Sequence, residues 1–120
     1  MKVTKLDKVF SIYIRKRDSN ESGIGKCCSC GKYVHWKDVD CGHFVNRKHM
    51  SLRFSEINCN MQCRSCNRFD EGNIVGYTKF MINKYGIDIL DKLEIAKKQT
   101  IKFTHFEINE LAKYYKTKTK

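Results

Sequence analysis

The sequence has no proline, a single tryptophan and no low-complexity run or internal repeat. These absences exclude proline-rich linkers, solenoids and repeat arrays. No apolar run approaches the roughly 20 residues needed to span a bilayer. The start, Met1 to Lys8, lacks the apolar core of a signal peptide, so the expected location is the cytoplasm. Acidic residues are scarce: 13 Asp and Glu face 24 Lys and Arg, for a net charge of +11. That balance favours polyanions, nucleic acid first and anionic membrane second, and the missing apolar run makes the membrane the weaker choice.

What is present is cysteine, seven in all. In a cytoplasmic chain this points to metal ligation rather than disulfides, and the odd count fits four ligands plus three free thiols. At 120 residues the chain is read as one domain, 1–120, able to bury a core of modest size. The stretch from Cys27 to Asn73 is too rich in charge and cysteine to fold on apolar burial alone. Metal binding supplies the missing free energy there.

That stretch opens with Cys27-Cys28-Ser29-Cys30-Gly31 and closes with Cys63-Arg64-Ser65-Cys66-Asn67, two Cys-x-x-Cys knuckles with 32 residues between them. Cys27, Cys30, Cys63 and Cys66 are the expected ligands of one tetrahedral, structural Zn²⁺. Cys28 and Cys59 are rival ligands; with Cys41 they are otherwise read as free thiols. A four-sulfur site is closed, so chemistry requires a second, harder site. Asp40 offers a carboxylate and Asn67 an amide carbonyl, which suit Mg²⁺ or Mn²⁺. His43 lies three residues from Asp40, and an imidazole can take a proton from water near neutral pH. Arg47, Lys48, Arg53, Arg64 and Arg68 surround these positions and are candidate phosphate contacts, Arg53 first among them. His49 is the substitute base if His43 binds metal, whereas His35 and His105 lack comparable neighbours.

Around this stretch the pattern predicts helices. Residues 4–18 repeat apolar positions at three- and four-residue steps, with Arg15, Lys16 and Arg17 at a basic end that can touch phosphate. Residues 19–25 read as a flexible connection. Lys32–Trp36 and residues 38–46 read as short strands, with a bend or bulge at Gly42. Residues 47–62 read as irregular. From Arg64 the chain turns helical, with a possible break at residues 70–72, and stops at Gly86. Asp88 is the expected cap of a helix running to about Lys98, and Thr104 with Glu107 has the capping-box form for a last helix. The tail to Lys120 is expected to fray and, with Lys113, Lys116 and Lys118, to bind backbone phosphate non-specifically.

Several segments together resemble the phage lambda NinG (Rap) recombination-nuclease family. They are Phe10 to Asp18, Cys27 to Gly31, Asp40-Cys41-Gly42-His43-Phe44, Leu52 to Asn58, and Gln62 to Arg68 followed by Gly72-Asn73. The likeness covers about residues 6–95. More broadly the pattern is similar to HNH, or ββα-metal, nucleases, with phage endonuclease VII alike in kind. The resemblance implies a structure-selective endonuclease acting on branched recombination intermediates such as Holliday junctions, inside the phage's host cell. It assigns Asp40 and Asn67 to the catalytic metal, His43 to the general base, and Asn58 to holding the ribbon that carries the base. In many HNH sites ligand and base are adjacent. Here Cys41 and Gly42 separate them, so His43 can be base or ligand, and a bulge at Gly42 would restore the usual geometry.

The expected architecture is therefore α+β: an N-terminal helix (about 1–20), a zinc-stapled ββα core (26–85), and C-terminal helices with a basic tail (86–120). The expected partners are DNA, branched by preference, and a second copy of the chain, since a resolvase cuts two strands. The alternative is a zinc-containing nucleic-acid-binding module without catalysis.

Overall fold

The computed structural model describes residues 3–119, so Met1, Lys2 and the tail residue Lys120 lie outside the description. The N-terminal helix α1 spans Val3–Arg17 and buries Leu6, Phe10 and Ile14 along one face. Strand β1 (Ile24–Lys26) pairs antiparallel with β2 (Tyr33–His35). A three-residue 3₁₀ turn, Trp36–Asp38, leads into β3 (Val39–His43), and a short helix α2 (Met50–Arg53) lies in the segment that follows. Strand β4 (Cys59–Cys63) pairs antiparallel with β3. A π-helical turn over Ser65–Phe69 then leads to α3 (Ile74–Tyr85), α4 (Ile89–Lys97) and α5 (His105–Lys118).

The fold is α+β, as expected, but its strands pair differently from the sequence expectation. The strands near residues 33 and 39 belong to different two-stranded sheets, because the 3₁₀ turn redirects the chain between them. The connection at 19–25 contains β1. The region 47–62, expected to be irregular, contains α2 and all of β4 but its last residue. No bulge occurs at Gly42; the register runs unbroken from Val39↔Cys63 to His43↔Cys59. Gly42 is required for another reason: a Cβ there would collide with the Gln62 side chain.

The β3–β4 ribbon organises the molecule. Its pairing places Cys41, Met61, His43 and Cys59 on one face and Asp40, Gln62, Gly42 and Asn60 on the other. The first face meets α1 and α5, where Leu6, Phe10, Ile14, Cys59, Ile108, Ala112 and Tyr115 form one core. On the second face Asn60 and Gln62 are buried polar residues. Asn60 donates to the Tyr77 hydroxyl of α3 (3.2 Å), and Gln62 donates to Gly72 O (2.7 Å) and Ser29 Oγ (2.8 Å). A second core joins α2, α3 and α4 through Leu52, Tyr77, Met81, Ile89 and Leu93.

The outer edge of β4 is closed by the end of α1. The Arg17 guanidinium donates to Cys59 O (2.9 Å), Glu56 O (2.9 Å) and Asn60 Oδ1 (3.2 Å), while Asp18 Oδ2 accepts from Met61 N (2.9 Å). Arg17, expected at a phosphate-facing end, is thus spent on the ribbon. Side chains saturating a strand edge remove a template for unwanted pairing.

The later helices follow their local signals. Gly86 (φ 90°) ends α3 with its N–H on Ile82 O. Thr104 and Glu107 close both bonds of the capping box on α5. Asp88 precedes α4 but makes no side-chain cap bond. No helix among the described residues is long and apolar enough to cross a membrane.

Candidate metal centre and cleft

The two knuckles meet as their spacing predicts. Cys27, Cys30, Cys63 and Cys66 bring their sulfurs within 4.8 Å of one another. Cys30 Sγ and Cys63 Sγ are 3.8 Å apart. A tetrahedron with Zn–S bonds of about 2.3 Å has an edge of about this length. Gly31, at φ 77°, lets its N–H return to Cys27 O (2.9 Å) and close the first turn. Sulfur acceptors receive N–H donors, Ser29 N on Cys27 (3.4 Å) and Cys66 N on Cys63 (3.5 Å). The Asn73 amide, which the sequence reading did not single out, donates to Cys66 Sγ (3.3 Å) and also caps α3.

Electrostatics fit a thiolate cluster. The Cys28 thiol and nearby backbone N–H groups outweigh burial at Cys27 and pull it down to about 3; burial pushes Cys66 up to about 12. Thiols held this close cannot all ionise without a cation among them, and a divalent ion would supply that charge. The cluster can therefore hold a metal such as zinc. Cys28 and Cys59 stand outside this quartet; Cys28 packs in the α3–α4 core.

Beside the ribbon lies an open cleft of about 600 Å³ between α1, β3 and the turn after β4. Asp40, His43, Asn67, Arg47, Arg64 and Arg68 all line it. Arg15, from the basic helix end expected to touch phosphate, lines it from α1 together with Asp7 and Ser11, which the sequence reading had not placed there. Four arginines against two aspartates make the cleft cationic. Arg15 is held by Ser11 Oγ (3.0 Å) and Trp36 O (3.0 Å), with its guanidinium 5.4 Å from the Trp36 ring centre.

Asp40 is heavily engaged. Arg68 donates to both its oxygens (2.8 and 2.9 Å), and Asn67 Nδ2 donates to Oδ2 (2.9 Å). Burial raises the carboxyl's proton affinity, but these hydrogen bonds outweigh it and hold Asp40 below the ordinary carboxylate range. In this arrangement the Asp40 charge is met by the Arg68 guanidinium and an Asn67 N–H.

His43 Nε2 lies 2.9 Å from Arg53 O. A carbonyl only accepts, so Nε2 carries the proton and Nδ1 is the basic nitrogen. Burial depresses the imidazole pKa, although the Arg53 carbonyl partly opposes this, so the ring is neutral near neutral pH. The Arg53 carbonyl is itself fixed from two sides. The Arg53 side chain, expected on phosphate, instead grips Asp7 of α1 through Nε (2.9 Å) and Nη2. Asn58, fully buried, accepts from Val45 N (2.8 Å) and donates to Val45 O (3.0 Å) and Leu52 O (3.1 Å). It lies outside the cleft and ties together the segment that carries both His43's neighbour and Arg53. Lys48 and His49 line a separate groove with Leu90 and Leu93, so His49 does not share the cleft with Asp40.

A family model described as the Bacteriophage Lambda NinG protein matches residues 2–120. The chain is 30% identical over 121 residues to protein ninG of Salmonella phage P22, covering 98% of this chain and 56% of that protein. It is 32% identical over 95 residues to protein ninG of Escherichia phage 933W, covering 77% and 44%. Protein ninG of Escherichia phage lambda is 30% identical over 95 residues, covering 77% and 43%. The chain spans about half the length of the curated relatives it matches. No solved structure matches it significantly.

Proposed function

This chain belongs to the NinG family of lambda-type phage proteins, and from that premise we propose that it is a metal-dependent DNA endonuclease of the HNH, ββα-metal kind, selective for branched recombination intermediates. The observation that carries the reading is the cleft itself. Asp40, Asn67 and His43 open into one cationic groove, and His43 is held in a defined tautomer by a backbone carbonyl.

In this reading the groove's arginines attract the DNA backbone, with Arg47 and Arg64 beside His43 and Asp40. Asp40 and Asn67 would hold Mg²⁺ or Mn²⁺, which supplies charge stabilisation on the phosphate and the leaving oxygen. His43 Nδ1 takes the proton of the attacking water, whose oxygen bonds to phosphorus as the P–O3′ bond breaks. The products are a 5′-phosphate and a 3′-hydroxyl. Arg68 exchanges Asp40 for the scissile phosphate, a move open to a side chain 52% exposed. Asn58 and Asp7 act as positioning residues through the Arg53 carbonyl. A homodimer would pair two such clefts on one junction.

The rival reading is a zinc-containing nucleic-acid-binding module without catalysis. It draws on the saturation of Asp40 by Arg68 and Asn67. Cleavage of a four-way junction against linear duplex, in Mg²⁺ and in Mn²⁺, separates the two. Junction-selective cutting is expected, lost in His43→Ala with zinc content and DNA binding retained. Tight binding without cutting in either metal would overturn the endonuclease reading.

A further inference from the structure

The ribbon face opposite Asp40 carries a second group of metal-binding atoms. Cys41, His43 and Cys59 offer two sulfurs and an imidazole nitrogen within 4.8 Å of one another. The pairing explains the convergence: His43 sits directly across from Cys59, and Cys41 shares their face two residues back on β3. Cys59 is fully buried, whereas Cys41 and His43 line the cleft and give an ion a way in. None of the seven cysteines is in a disulfide, and these two stand outside the four-sulfur cluster.

We propose that Cys41, His43 and Cys59 form a second, inhibitory zinc site that takes the His43 imidazole away from its role in the cleft. Two sulfurs and an imidazole select a borderline-soft ion such as Zn²⁺ and reject Mg²⁺. Binding releases two thiol protons to solvent. The two resulting thiolates neutralise the ion, and solvent in the cleft completes a four-coordinate shell. The carbonyl that His43 meets, Arg53 O, also lies 3.8 Å from Cys59 Sγ, so the imidazole and that thiol share one acceptor. An imidazole whose lone pair is held by zinc cannot accept a proton from water. Zinc would therefore be required at the four-sulfur cluster and would inhibit at the second site. The inhibitory half rests on the endonuclease reading; the binding half does not.

The test counts ions in the full chain. After equilibration with zinc and removal of free ion, mass spectrometry of the metal is expected to give two zinc ions per chain in the parent. Cys41→Ser and His43→Gln should each hold one. Cys41 is half-buried, so its variant remains informative even if Cys59→Ser fails to fold. Co²⁺ titration gives an independent readout: sulfur-to-metal charge-transfer absorption for the second ion should be about half that of the first, since it has two sulfurs rather than four. A single ion in the parent, or a second ion retained by both variants, overturns the site. In the Mg²⁺ cleavage assay, inhibition should follow occupancy of the second site and need at least tenfold more zinc in Cys41→Ser. A filled second site without inhibition overturns the inhibitory role. A parent that never cleaves defeats the endonuclease reading and leaves the ion count to stand or fall alone.

Discussion

Asn58 spends its whole amide on the segment between β3 and β4. Replacing it with Ala would leave one N–H and two carbonyls without their side-chain partner, the Leu52 carbonyl in a fully buried place. A loss of about 3 kcal/mol is expected, because each buried orphan costs about 1–3 kcal/mol and some relaxation follows. Urea unfolding of the zinc-loaded protein measures this, and a loss below about 1 kcal/mol would show that the amide is dispensable. Cleavage should fall further than stability alone explains, since the Arg53 carbonyl that fixes His43 would drift. At this scale the sequence was partly legible. The knuckle cysteines announce themselves by spacing, and the cluster assembles from those four. Arg53 was misplaced because its partner, Asp7, lies 46 residues away on a helix whose polar face carries no signal of what it will meet. Arg15 was legible only as part of a basic helix end, and it is the one of that trio that lines the cleft.

Among the elements, the packing of α5 on α1 has a titratable signature. Glu56 accepts from Tyr13 (2.9 Å) and Tyr115 (3.1 Å), pinning both helices to the segment before β4. Burial, reinforced by the Glu56 carboxylate, raises the Tyr115 phenol above its ordinary value of 10.0, and burial does the same at Tyr13. The unfolded chain therefore releases phenol protons near pH 10 while the folded chain keeps them. The stabilising contribution of these phenols is complete below that pH and falls as pH rises through it. Tyr115→Phe should cost about 1 kcal/mol at neutral pH, for one hydrogen bond, and should make the alkaline decline shallower. Denaturant titrations between pH 8 and 11 would show both; an unchanged slope would mean the phenol is not protected. Local signals served these helices well: the capping box and the Gly86 stop act within a few residues. Strand β4 was not legible. Its Cys-Asn-Met-Gln-Cys run buries every residue, including two amides, so it lacks the polar–apolar alternation of a half-exposed strand. Its polar face is satisfied by Tyr77, Ser29 and Gly72, partners no local pattern reveals.

Taken whole, the molecule has two small apolar cores separated by a ribbon and a thiol cluster rather than one large core. Cys28 alone ties a knuckle to one of these cores, so metal should carry most of that part of the stability. Removing zinc with a strong chelator is expected to melt the ribbon and the α3 junction and to lower Tm by at least 10 °C, with Cys63→Ser behaving alike in the presence of zinc. The size follows from structural zinc binding worth about 10 kcal/mol or more in small domains. Thermal scans by circular dichroism check it, and an unchanged Tm in the chelated protein would assign the fold to its apolar cores instead.

The docking of α1 sets the order in which the chain can fold. This helix contacts β3, β4 and α5, so its partners lie from about 25 to 100 residues downstream, and the Lys16 ammonium even reaches Thr119 O. The knuckles, ribbon and α3 make their contacts over shorter spans. Contacts of long sequence separation cost more loop entropy and form late. Within this chain α1 is made before β3, β4 and α5, and its full set of contacts is complete only once α5 exists. Until α1 docks, the face bearing Leu6, Phe10 and Ile14 stays uncovered, and the groove that needs Asp7 and Arg15 has no second wall. The cleft consequently closes only with the docking of α1, whereas the four-sulfur cluster draws only on residues 27–66.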